Sequence, residues 1–126
     1  MIVADTHALL WWILSPQTLS LRARTAMDER AKGVAAITLW EIAMLVSRGR
    51  VVLQYNVADW LQDVMALPQM AMLPLNIQVA ATSAALPDLI RDPADRMIVA
   101  TALHQGVPLV TKDDRIRESG IVQTIW

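Results

Sequence analysis

The chain has 126 residues, no cysteine, a hydrophobic share of 55% and a formal charge of −1. The absence of cysteine excludes a disulfide scaffold and thiolate metal sites, and no apolar run reaches the roughly 18 residues that a membrane-spanning helix needs. The small net charge argues against nucleic-acid binding through overall electrostatics, but not through a local basic patch.

Strands and helices are predicted to alternate along the chain. The apolar N-terminus lacks a basic region and carries Asp5 and His7, so it does not fit a signal peptide. The strands are predicted at Ile2–Ala4, Val34–Ile37, Met70–Leu73, Val107–Val110 and Ile121–Trp126. The helices are predicted at Thr6–Leu14, Leu19–Lys32 (ended by Gly33), Thr38–Ser47, Val57–Leu67, Ile77–Leu86 and from Pro93 to a stop at Gly106, with a helical turn at Asp114–Glu118. This order predicts one α/β domain over residues 1–126, with a mostly parallel sheet. Because the chain has no cysteine, no apolar run long enough for a membrane span and no fit to a signal peptide, we expect it in the cytoplasm.

The segment from Arg91 to Asp113 predicts how distant acids come together. Asp92 followed by Pro93 is typical of a helix start, which places Asp95 in the first turn. The strand that follows this helix runs antiparallel to it and ends just before Asp113. We therefore expect the start of the helix and the end of the strand, with their two carboxylates, at one edge of the sheet.

Four acids are predicted at that same edge. Asp5 ends the first strand, Glu41 is predicted in the first turn of the helix after the second strand, and Asp95 and Asp113 join them. Sites in open parallel sheets form beyond the carboxyl ends of the strands. Carboxylates so close repel each other unless a cation or a proton intervenes, and oxygen ligands favour Mg²⁺ or Mn²⁺. The pattern indicates a metal-dependent phosphodiesterase.

Each acid also has a structural interpretation. Asp5 and Asp92 are suitable helix caps, and Thr38 with Glu41 matches a capping box. Asp113 and Asp114 suit a turn before a short helix. A phosphatase that phosphorylates its own aspartate usually needs a second acid two residues later, where this chain has His7.

Four spaced motifs together resemble a PIN domain, and more narrowly the VapC toxins of bacterial toxin–antitoxin pairs. They lie in order across almost the whole chain, at Met1–Trp12, Ile37–Ala43, Asp92–Ala102 and Leu109–Asp113. The resemblance implies a three-layer PIN-like (Rossmann-like) sandwich, with a mostly parallel sheet flanked by helices. It also implies the activity of a Mg²⁺- or Mn²⁺-dependent endoribonuclease.

The resemblance also implies roles for individual residues. Asp5, Glu41, Asp95 and Asp113 would be catalytic, with metal held by Asp5, Asp95 and Asp113 and a supporting hydroxyl from Thr111. Hydrolysis would leave a 3′-hydroxyl and a 5′-phosphate on the RNA. The implied partners are a cognate antitoxin, the RNA substrate and a second copy in a homodimer, consistent with the surplus of apolar residues.

Supporting residues are expected beside the acids. Asp92 is expected to cap the helix that carries Asp95, and Arg96 is the basic residue best placed to contact phosphate. Further basic residues that could contact RNA are Arg91, Lys112 and Arg115 nearby, and Arg22, Arg24, Arg48 and Arg50 at a greater distance. The alternative to an enzyme is a non-catalytic PIN-like protein-binding module whose acids are only caps.

Overall fold

A five-stranded parallel sheet forms the centre of the molecule. The computed structural model describes residues 1–126. Its strands are β1 (Ile2–Ala4), β2 (Lys32–Ala35), β3 (Met70–Leu73), β4 (Leu109–Val110) and β5 (Thr124–Ile125), in the order β3-β2-β1-β4-β5. Every neighbouring pair is parallel, so all five carboxyl ends meet at one edge. The predicted α/β fold is confirmed.

Seven helices cover the two faces of the sheet. They are α1 (Thr6–Leu14), α2 (Leu21–Glu29), α3 (Ala36–Ser47), α4 (Val57–Met65), α5 (Ile77–Ala85), α6 (Pro93–Gln105) and α7 (Asp114–Ser119), with a short 3₁₀ turn at Pro16–Thr18. None of them combines the length and the apolarity needed to cross a membrane.

The central strand β1 is buried on both faces, and its side chains alternate between two apolar clusters. Ile2 and Ala4 pack with residues of α1, α2, α3 and α4, whereas Val3 packs with residues of α6 and α7. A buried parallel strand between two helical layers is the arrangement expected of a three-layer sandwich. The two layers hold the carboxyl end of β1 between the helices that leave neighbouring strands.

The second strand begins earlier than the sequence predicts. Lys32 and Gly33 were predicted to end the second helix, but both belong to β2. The sequence pattern favours a surface position for the charged Lys32. In the structure its ammonium donates to the carbonyl oxygens of Met27 and Arg30, and these bonds allow the residue to be buried. Gly33 lies so close to Leu73 that an added Cβ would stand 2.5 Å from its Cδ1. The glycine thus permits close packing inside the sheet and does not cap a helix.

This shift moves Glu41 along its helix. Because α3 begins at Ala36 directly after β2, Glu41 lies in the second turn, and the prediction of the first turn was wrong. The capping box of Thr38 and Glu41 is also wrong, since Ala35 is the N-cap and makes no side-chain capping bond. Apolar residues run from the strand into the helix without a turn signal, so the sequence gives no mark of this boundary.

Candidate active site

An acidic pocket of about 500 Å³ lies at the carboxyl edge of the sheet. It is lined by side chains from four separated parts of the chain, namely Asp5, His7, Trp11, Glu41, Asp92, Asp95, Lys112 and Asp113. The four acids proposed from the sequence as catalytic are among them, together with Asp92. Their assignment as catalytic or metal-binding residues stays a prediction.

The carboxylate of Asp5 is held from two sides. Its Oδ1 accepts from the backbone N–H of Thr6 at 2.8 Å, at the start of α1. Its Oδ2 accepts from the hydroxyl of Thr111 at 2.7 Å, and that hydroxyl oxygen also accepts from the backbone N–H of Asp113 at 3.1 Å. Thr111 is completely buried beyond β4. The predicted supporting hydroxyl therefore joins two acids from opposite ends of the chain.

Glu41 is oriented by a residue that the sequence reasoning missed. The hydroxyl of Thr6 donates to Oε1 of Glu41 at 2.5 Å, and it lies 3.4 Å from the hydroxyl of Thr38. Thr6 is buried as the first residue of α1. Its position directly after Asp5 was the available signal, but a threonine there is also an ordinary helix-start residue.

Besides Asp5, which is the N-cap of α1, two more of the acids are helix caps and pocket residues at once. Asp92 is the N-cap of α6 and its Oδ1 accepts from the backbone N–H of Asp95 at 3.1 Å. Asp113 is the N-cap of α7 and its Oδ1 accepts from the backbone N–H of Arg115 at 2.8 Å. Since each capping bond uses one oxygen, the other oxygen remains available to the pocket. Capping and a functional role are therefore compatible in these residues.

The tightest group of acids differs from the predicted metal ligands. Glu41, Asp92 and Asp95 each offer a carboxylate oxygen, and these oxygens lie within 4.8 Å of one another. The metal ligands expected from the resemblance were Asp5, Asp95 and Asp113; only Asp95 belongs to both sets. Three carboxylates at this spacing fit a divalent cation that prefers oxygen ligands, because the cation would offset their repulsion.

The electrostatics of the pocket favour protons or cations. Burial, followed by the charges of Asp5, Asp92, Glu41 and Asp113, raises the pKa of Asp95 to about 7. Burial also raises the pKa values of Asp5 and Glu41, although the hydroxyls of Thr111 and Thr6 lower them in part. Asp95 accepts no hydrogen bond from another side chain. Strongly raised carboxyl pKa values in a cleft are typical of functional sites.

The prediction that Arg96 contacts phosphate was wrong. Its side chain turns from the acids to the last turn of α5 and the loop after it, where all five N–H donors are used. The acceptors are backbone carbonyl oxygens of Ser83, Ala84, Leu86, Pro87 and Ile90. Arg96 therefore fixes the chain that leads into α6 and has no donor left for RNA. The sequence shows that Arg96 adjoins Asp95 but not the side to which it turns.

An aromatic and basic rim borders the acids. The rings of His7 and Trp11 lie 5.6 Å apart, and the ammonium of Lys112 lies 5.7 Å from the ring of Trp11. The ring of Trp126 lies behind Trp11 at 5.9 Å. His7 forms no hydrogen bond to the acids, so its contacts favour a supporting role in the wall of the pocket.

Comparison with known proteins agrees with the fold. The PIN domain family model matches residues 2–121. Ribonuclease VapC22 of Mycobacterium tuberculosis is 40% identical over 118 residues, which are 92% of this chain and 89% of that protein.

Solved structures are similar over almost the whole chain. The crystal structure of FitAcB from Neisseria gonorrhoeae has a TM-score of 0.69 and 25% identity, and the match covers 98% of this chain and 96% of that one. A toxin–antitoxin complex from Klebsiella pneumoniae has a TM-score of 0.66 and 18% identity, covering 97% and 95% of the two chains. At this identity, the second likeness supports the fold alone.

Proposed function

The chain belongs to the PIN-domain family, and on that premise we propose that it is a metal-dependent endoribonuclease, the toxin of a toxin–antitoxin pair. The observation that carries the proposal is the convergence of five carboxylates in one pocket, three of them within 4.8 Å of one another. The 40% identical relative is a ribonuclease by name, which supports RNA as the substrate.

The metal in this proposal is Mg²⁺ or Mn²⁺. Glu41, Asp92 and Asp95 are the residues best placed to hold it, with Asp5 and Asp113 in the same pocket. When bound, such a cation can activate water and stabilise charge on a phosphodiester during in-line displacement. The remaining contribution belongs to the protein, whose hydroxyls hold Asp5 and Glu41 in place before substrate arrives.

In this proposal the charge of Asp95 depends on whether a proton or the metal occupies its carboxylate. At neutral pH without metal its carboxyl is partly protonated, since its pKa is raised to about 7. A cation favours the ionised form, so metal and protons compete for the same group. Binding of the metal should therefore release a proton, and its affinity should rise with pH.

The proposed partners are an antitoxin and a second copy of the chain. Large apolar side chains stand exposed on the surface, including Leu21, Val52 and Ile77, each more than four-fifths exposed. Such residues are costly to leave in water when they are grouped and often mark interfaces. A toxin held by an antitoxin and paired with itself would cover surface of this kind.

Cleavage of total RNA by the purified protein tests the proposal. We expect discrete fragments with Mn²⁺ or Mg²⁺, none with EDTA, and a loss of roughly 10²-fold or more in Asp95→Asn. Asp114→Asn is the matched control, because Asp114 is an exposed acid that pairs with Arg117 and lies outside the pocket. Intact RNA together with absent Mn²⁺ binding would contradict the enzyme and favour a protein-binding module.

A further inference from the structure

A second cavity adjoins the acidic pocket and is called here the arginine cleft. It has a volume of about 230 Å³, and Trp40, Arg48 and Arg50 lie in its wall. Glu41 and Asp92 line both cavities, so the arginine cleft opens directly beside the tightest group of acids.

The cleft follows one face of α3 away from the acids. Trp40, Met44 and Arg48 are spaced four residues apart, which places them on one side of the helix. Arg48 stands seven residues beyond Glu41, which is about 10 Å along the helix axis. A single strand of RNA lying in the cleft would therefore pass from the acids across the ring of Trp40 to the positive charge of Arg48.

The backbone that carries the arginines is fixed, and their side chains are free. Gly49 lies between them at φ +70°, and the N–H groups of Gly49 and Arg50 donate to carbonyl oxygens of the last turn of α3. Neither guanidinium takes part in a salt bridge or a side-chain hydrogen bond, since the two salt bridges of the structure join other residues. The fold thus presents two unpaired positive charges at a set place.

Trp40 is exposed beside them. The residue is 56% accessible, and its indole N–H forms no hydrogen bond within the protein, unlike that of Trp12. A large aromatic ring that stays in water contributes little to folding. Its flat face is instead available for stacking on a nucleobase.

We propose that the arginine cleft binds the RNA strand next to the phosphate to be cleaved, with Arg48 and Arg50 on neighbouring phosphates and Trp40 under a base. The inference rests on the proposed ribonuclease function and adds the place of its substrate. The acidic pocket repels phosphate, so a strand needs positive groups nearby to hold it. Guanidinium groups suit phosphate by their paired donors, and aromatic stacking accepts any base.

The test is the binding of a fluorescent single-stranded oligoribonucleotide of mixed sequence in EDTA, where RNA is not cleaved, at several salt concentrations. Arg48→Gln with Arg50→Gln should weaken binding and lower the slope of log affinity against log salt by about 1.4, roughly 0.7 for each lost phosphate contact. Trp40→Ala should weaken binding roughly 5- to 150-fold without changing the slope, and Trp40→Phe should restore most of it.

Arg30→Gln with Arg117→Gln is the matched control. It removes the same charge from two exposed arginines, one directly after α2 and one on α7, that line neither cavity, and it should leave affinity and slope unchanged. Equal affinity and slope in the Arg48/Arg50 double variant and the wild type would overturn the inference, as expected if the cleft serves a protein partner. A wild-type protein that does not bind RNA in EDTA would also overturn it, and cleavage with Mn²⁺ in the same preparation would show whether the ribonuclease function survives.

Discussion

Two charged side chains stand one residue apart at the start of α6, and the protein treats them in opposite ways. Arg96 turns to the last turn of α5 and the loop after it, and donates to five carbonyl oxygens. Asp95 turns into a pocket with four other carboxylates, and their charges add to burial in raising its pKa to about 7. One charge is fully compensated within the protein and the other is not. The comparison teaches that adjacency to a site does not make a residue part of it, whereas an uncompensated charge does mark it.

The compensated charge should have the larger effect on stability. Arg96→Met keeps the length of the side chain but leaves five carbonyl oxygens without their charged donor, and we expect a loss of about 3 kcal/mol in the free energy of unfolding. Arg96→Lys should recover part of it through its three donors. Arg91→Met is the control, because exposed Arg91 makes no such bonds, and it should change stability by less than about 0.5 kcal/mol. Urea denaturation measures all three, and equal losses in Arg96→Met and Arg91→Met would break the comparison.

Removal of the uncompensated charge of Asp95 should raise the free energy of unfolding, whereas removal of the Arg96 charge should lower it. The folded pKa of Asp95, about 7, lies above its ordinary value of 3.8, so between these values the folded state binds more protons than the unfolded state. The stability of the metal-free protein should therefore fall as pH rises from about 4 to about 7. Asp95→Asn removes this contribution and should be more stable than wild type at pH 8, by about 1–2 kcal/mol after allowance for solvent screening of a half-buried group.

Thermal unfolding in EDTA between pH 5 and pH 8 checks this sign. The two proteins should differ least at the acidic end and most at the alkaline end. A variant that is less stable than wild type at pH 8 would mean that Asp95 acts as a structural residue of the helix start.

Substitution of Thr111 tests how far the pocket depends on the hydrogen bond that holds Asp5. Thr111→Val nearly preserves volume but removes the donor to Oδ2 of Asp5, and should cost about 1 kcal/mol of stability. Cleavage should fall roughly 10- to 100-fold, because Asp5 loses its fixed orientation. Thr111→Ser keeps the hydroxyl and should retain most activity in the same assay. Unchanged cleavage by Thr111→Val would show that the orientation of Asp5 does not matter.

The sequence predicted the fold through signals that act locally. Asp92, Pro93 and Gly106 mark the ends of α6 by cap chemistry, and the structure has this helix at Pro93–Gln105. No capping residue separates β2 from α3, and the predicted boundary between them lies two residues too late in the chain. Lys32 was assigned to the second helix because a lysine is expected at the surface. Its charge is satisfied inside the fold by two carbonyl oxygens of the preceding turn, and hydrophobic periodicity gives no sign of such a contact.

The acidic pocket could be anticipated because topology alone brings strand ends together. Which acids lie closest together, and which side chains orient them, could not be anticipated, because both depend on the directions of individual side chains. Glu41, Asp92 and Asp95 form the tightest group because α3 and α6 begin side by side, and Thr6 reaches Glu41 across from α1. Arg96 was misplaced for the same reason, as a helix turns each successive side chain by a large angle.

The most direct test of the central claim is thermal unfolding at pH 8 with Mn²⁺ and with EDTA. If the uncompensated acids hold a divalent cation, Mn²⁺ at about 100 times its dissociation constant should stabilise the wild-type protein by about 2.7 kcal/mol. Asp95→Asn should lose this gain, although it is the more stable protein in EDTA, and Asp114→Asn should keep it. Identical unfolding of the wild-type protein in Mn²⁺ and EDTA would contradict the account.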